Sequence, residues 1–233
     1  MKKLVMLLVV LALCMPSYGY ILVYKLTMSG TAARWETTDD TEGWLLGKDS
    51  GRGYLVLDVD EDDPNVLYDV QFISYWSEGN DKGYEIWTTG EEEFTHSILP
   101  GLPPKGKNIV RMELSLTDEK GFEVGGRVLG TVKSTDIGTL DEDEKKEKKD
   151  VATSLKGVCA WEDYEDDTLD DTGYGTVTLT LDTKWTKTAN NPDETKGFGG
   201  DIGLFLDPES GPPEMPQGLI NWLESKGYGP AGG

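Results

Sequence analysis

Four carboxylates, Asp58, Asp60, Asp62 and Asp63, follow an apolar run from Gly53. Oxygen ligands at alternate positions can wrap a hard cation such as calcium. The match to a helix-flanked calcium loop is poor. Asp63 stands where such a loop turns on glycine, and strand-type sequence surrounds it. A second acidic cluster, Glu162, Asp163, Glu165, Asp166, Asp167, Asp170 and Asp171, has no better ligand spacing. Both clusters read first as polar strand ends and turns, with weak calcium binding at Asp58, Asp60, Asp62 and Asp63 as the metal alternative.

Other chemistries find less support. His96 is the only histidine, which leaves zinc sites and Ser-His-Asp triads short of partners. No glycine-rich phosphate loop is present, so no nucleotide cofactor is expected. Paired carboxylates cleave glycosides when a cleft holds them about 5–9 Å apart, but among 43 acids the sequence nominates no pair. Of seven tryptophans, Trp76, Trp161 and Trp185 sit on otherwise apolar strand faces and read as core. Trp35, Trp44 and Trp87 are less constrained and form the candidate aromatic platform for a ligand.

The chain begins with a short export leader. Lys2 and Lys3 precede an apolar stretch, Leu4 to Met15, and Ser17 and Gly19 fit cleavage after Gly19. That stretch is too short to cross a bilayer. Cys14 raises a lipoprotein as the lesser alternative. Localisation is therefore expected to be periplasmic or extracellular. Lys2 and Lys3 leave with the leader, so 20 Lys and Arg face 43 acids and the mature net charge is −23. So negative a chain has no basic face for nucleic acid; cations or a small ligand are the partners it suits. After cleavage Cys159 is the single cysteine, so no intramolecular disulfide forms and Cys159 reads as a buried apolar thiol.

The elements that carry these residues are mostly strands. Tyr20 to Ser29 is β-rich. In the Gly53 run, Leu55, Leu57 and Val59 share one face while Tyr54 and Val56 share the other, as in a strand covered on both sides. Tyr68, Val70, Phe72, Ser74 and Trp76 repeat at period two, and so do Val177, Leu179, Leu181 and Trp185. Gly30 to Ser50, Glu91 to Pro104, the acid-and-lysine run Asp141 to Asp150 and Thr186 to Gly200 read as polar connections, and Asp201 to Leu206 as one more short strand. Gln217 to Lys226 is the one expected helix, stopped at Gly227, with residues 229–233 as a tail. Ser29-Gly30-Thr31, the Gly53 run and Ser74-Tyr75-Trp76 recur near Leu129, Gly157 and Thr183, which suggests two related halves, 20–118 and 121–206.

The expected fold is mainly β: one domain over 20–228, an antiparallel sandwich or closed barrel of eight to ten strands with a C-terminal helix. A calyx-like barrel is one version. The expected function is that of an exported, non-enzymatic binding or envelope-associated protein. The alternatives are a small-ligand or carbohydrate-binding barrel and a glycosidase-like acidic hydrolase.

Overall fold

The computed structural model describes residues 19–37, 42–60, 67–78, 80–88, 94–101, 109–118, 123–138, 147–165, 168–190 and 217–230. Residues 1–18 of the expected leader, Asp62, Asp63, Asp166, Asp167 and the expected strand at Asp201 to Leu206 lie outside them.

Eleven strands and two helices are present among these residues. They are β1 Gly19–Thr37, β2 Glu42–Asp49, β3 Arg52–Asp60, β4 Leu67–Glu78, β5 Asp81–Thr88, β6 Phe94–Gly101, β7 Ile109–Asp118, β8 Glu123–Gly138, β9 Glu147–Glu165, β10 Thr168–Leu181 and β11 Gly229–Pro230. Helix α1 is Thr183–Ala189 and helix α2 is Gln217–Ser225. The expected antiparallel β fold is there as one sheet, in the order β11-β5-β4-β3-β1-β10-β9-β8-β7-β6, with β2 attached to β1. The ladder is open: β11 and β6 end it. Among the described residues the one parallel pairing joins Gly229–Pro230 to β5.

Strand β1 is the centre of this order. Its first half pairs with β3 on one edge, its second half pairs with β2 on that same edge, and β10 takes the other edge. The polar segment Gly30 to Ser50 is therefore a long hairpin rather than an irregular connection. Cross-strand backbone pairing outweighs its weak strand propensity. Phe94–Gly101 is also a strand, against expectation; among the described residues β6 pairs only with β7, and an edge position is where a strand tolerates Pro100.

The two faces expected of β3 are both covered. Leu55, Leu57 and Val59 join Tyr20, Leu22, Val70, Leu155 and Leu179 in the larger core, on the inner face. Tyr54 and Val56 join Ile21, Val23, Ile73 and Tyr75 on the outer face, beneath Leu219, Ile220 and Leu223 of α2. Helix α2 ends where the sequence indicates. Gly227 takes a φ of 85°, its N–H donates to the Glu224 carbonyl, and Tyr228 N–H donates back to Leu223. This is the left-handed glycine stop that satisfies the last carbonyls.

Trp185 departs from its expected place. Strand β10 stops at Leu181, and Asp182 caps α1 by accepting from the N–H groups of Lys184 and Trp185. The helical turn carries Trp185 to the outer-face core rather than leaving it in line with Leu179. Thus Ser74-Tyr75-Trp76 is strand while Thr183-Lys184-Trp185 is helix. Helix α1 then takes over from β10 along β1. Val23 N–H donates to Thr186 Oγ1, Ile21 N–H donates to Asn190 Oδ1 at 2.7 Å, and Asn190 Nδ2 donates to the carbonyls of Ile21 and Ile137. A buried amide here replaces a missing strand and ties β1 to the end of β8.

Candidate ligand cavity

The inner face is packed solid at one end only. Toward the other end a cavity of about 440 Å³ opens. Its walls include Phe72 and Glu85 from β4 and β5, and Leu116 and Val124 from β7 and β8. Strands β5 and β7 are seven steps apart in the sheet, which would be about 33 Å if the sheet were flat. A cavity this small reaches both, so the sheet curls until its distant strands face each other.

Glycines gather at this end of the inner face, and Gly126 among them borders the cavity. On the inner face, Gly30, Gly53, Gly126, Gly157, Gly173 and Gly175 occupy positions where the packed end carries Leu, Val or Tyr. Gly30 and Gly175 are directly opposed on β1 and β10. A Cβ on Gly30 would lie 2.2 Å from the Tyr174 carbonyl, and one on Gly175 2.4 Å from that of Ser29. The two strands approach and bend here in a way that side chains would forbid. Gly173 serves differently: the Trp161 indole lies across it from β9, where a Cβ would be 2.1 Å from the ring.

The floor and walls are apolar, from Leu26, Met28, Phe72, Cys159, Trp161 and Val177. Cys159 is buried, and desolvation pushes its thiol pKa up, so it stays a neutral wall group. Deeper in, burial raises the pKa of the Tyr24 phenol. Its hydroxyl, held protonated, donates to the Ala152 carbonyl at 2.9 Å.

Polar groups also border the cavity: Asp49, Arg52, Ser74, Glu85, Asp163 and Asp171. A bulge between Leu169 and Asp171 sets Asp171 directly opposite Asp163. Such a bulge re-aims the side chains beyond it. On its other side Asp171 faces Arg34, with Arg34 Nη2 3.5 Å from Asp171 Oδ2. Asp171 Oδ1 is buried and has no hydrogen-bond partner. Desolvation raises the Asp171 pKa above the usual carboxylate range; Arg34 opposes this, and Asp49 and Asp170 add to it.

The residues singled out from sequence divide between this cavity and elsewhere. Asp163 and Asp171 of the second acidic cluster are in it; Glu162 lies elsewhere and accepts from Tyr164. Asp58 and Asp60 sit at the far end of β3, on the face opposite Leu57 and Val59. Among the described residues no group of three or more His, Cys, Asp or Glu could hold a metal ion. Trp35 and Trp44 do meet, as an edge-to-face pair with centroids 5.6 Å apart, but on the exposed β1–β2 hairpin. Trp87 is separate, on β5 opposite Phe72 in register. His96 pairs with Leu116 in the β6–β7 ladder.

Two tryptophans read as core need correction or refinement. Trp161 is buried as expected and is also a cavity wall. Trp76 is 40% exposed. It follows Ser74 on the inner face, beyond the packed part, and its ring lies across Gly83 of β5 instead of inside a core. The cavity itself escaped the sequence reading. Glycines at period two, such as Gly173-Tyr174-Gly175, mark where a neighbouring strand or the Trp161 ring approaches closely, and they lie beside the cavity rather than in its wall.

No family model and no curated protein matches the chain. No helix among the described residues is long and apolar enough to cross a membrane.

Proposed function

We propose that this chain is an exported binding protein that takes a small, largely apolar molecule into the open end of its curled sheet. The observation that carries the reading is the 440 Å³ cavity walled by Leu26, Met28, Phe72, Trp161 and Val177. Ligand sites are typically concave, mostly apolar and about 300–1,000 Å³ in volume, with a few polar groups placed for orientation. The leader from Met1 to Gly19 supports export, and the strongly acidic composition suits a protein that stays dispersed outside the cell.

Trp161 provides the reporter. Titration with a neutral apolar dye such as Nile red is expected to saturate at one molecule per chain and to change tryptophan emission. In Val124→Trp, which fills the cavity from β8, saturable binding is lost while the circular dichroism spectrum is kept. Dye uptake that fails to saturate, or that Val124→Trp leaves unchanged, would overturn the reading.

A hydrolase is the second reading, favoured by one observation: Asp163 and Asp171 oppose each other at the cavity, and the Asp171 pKa is raised. Acid–base glycoside cleavage uses two carboxyl groups in one cleft. Release of nitrophenol from aryl glycosides, abolished in Asp171→Asn, would move the assignment from binder to enzyme.

A further inference from the structure

We propose that the molecule taken into this cavity carries a positive charge, an amine or similar cation on an apolar body, with the cation seated among Asp49, Glu85, Asp163 and Asp171. This rests on the cavity reading above and specifies its ligand.

Four carboxylates and one guanidinium, Arg52, border the cavity. The carboxylates come from β2, β5 and the β9–β10 hairpin, three parts of the chain that the curl of the sheet brings to one space. Arg34, which faces Asp171, points largely into solvent, with 66% of its side chain exposed. It leaves Asp171 under-compensated, with Oδ1 buried and unbonded and the carboxyl pKa still displaced upward.

Apolar walls on one side of these charges reduce the local dielectric, so an entering cation is attracted more strongly than it would be at an open surface. A cleft lined by one sign of charge also concentrates ligands of the opposite sign. The Trp161 ring borders the same space, and an indole face attracts cations further. An anionic amphiphile such as a fatty acid meets the reverse of each effect.

The test compares three ligands with one tail: decylammonium, decanol and decanoate, titrated calorimetrically into the full mature chain. Decylammonium is expected to bind at least tenfold more tightly than decanol, and decanoate more weakly than either. Added salt should narrow the gap by weakening only the amine. Val124→Trp keeps every charge but fills the cavity, and should lose the amine. The pair Glu85→Gln with Asp163→Asn should bring the amine down to the affinity of decanol for the same variant.

Equal affinity for amine and alcohol would overturn the cationic ligand and leave the cavity reading standing. Absence of saturation by all three would overturn the cavity reading itself. Amine binding that survives Val124→Trp would place it on the acidic surface and overturn the proposal. Should the paired variant fail to fold, the salt dependence of the unaltered chain decides between the same outcomes.

Discussion

The two ends of the inner face are built from the same strands and end differently. At the closed end β1 presents Tyr20, Leu22 and Tyr24, β3 presents Leu55, Leu57 and Val59, and β10 presents Leu179 and Leu181, all buried. At the open end β1 presents Leu26, Met28 and Gly30, β3 presents Gly53, and β10 runs back through Val177, Gly175 and Gly173. Period two and hydrogen-bonded register continue across both ends. Strand pairing therefore does not decide whether this fold is solid or hollow. Side-chain volume on one face does, because an interior closes only where its residues fill the space.

Helix α1 adds to the contrast. It docks at the closed end, where Asn190 and Thr186 satisfy backbone groups of Ile21 and Val23 that β10 no longer reaches. The open end has no such plug among the described residues, and its charged groups gather there instead. Stability should thus be concentrated at one end and ligand chemistry at the other.

The largest effect should come from the closed end. Leu155→Ala removes a fully buried side chain and should cost about 2–5 kcal/mol in urea unfolding. Asn190→Ala should rank with it, since each buried backbone group left unpaired costs about 1–3 kcal/mol, and the carbonyls of Ile21 and Ile137 both lose a donor. If Leu155→Ala proved nearly neutral, the closed end would not be packed and the contrast would fail.

At the open end Met28→Ala trims a partly buried cavity wall. It should cost about 1 kcal/mol in the same unfolding assay, yet weaken dye binding severalfold. An unfolding cost as large as that of Leu155→Ala would erase the distinction between the ends.

The smallest effect concerns Asp171 and sharpens the electrostatic half of the comparison. Its folded pKa is raised, so between the ordinary and the raised value the native state holds more protons than the unfolded chain. Stability therefore falls as pH rises through that window, and the penalty is full above the folded pKa and absent below the unfolded one. Asp171→Asn should melt higher than the unaltered chain near neutral pH, with the gain vanishing in acid. The charges around it are Arg34 on β1, Asp49 on β2, Asp163 on β9 and its neighbour Asp170. A melting difference that does not change with pH would locate the effect in packing rather than charge.

Much of the architecture was legible beforehand. The Gly53 run announced a strand with two apolar faces, and the structure covers one with the inner core and the other with α2. The stop at Gly227 followed from glycine alone. The β1–β2 hairpin and β6 were not legible, because polar residues and Pro100 are tolerated when a ladder partner supplies the hydrogen bonds. Helix α1 was missed because a period-two run led straight to Trp185; the break is at Asp182, a capping residue that resembles any other polar strand position. The acidic clusters were visible as clusters, but nothing local separates Asp163 and Asp171, which border the cavity, from Asp58 and Asp60, which do not.

By itself the sequence determined the class of fold, the strand faces and the excess of negative charge, since these depend on alternation and composition within short windows. Only the tertiary structure decided that the sheet is a single curled one, that its glycines fall together on one end of the inner face, and that carboxylates from β2, β5, β9 and β10 share one space. Those outcomes depend on strand order, fixed by pairing between residues distant in the chain, and on a one-residue bulge before Asp171 in the β9–β10 hairpin.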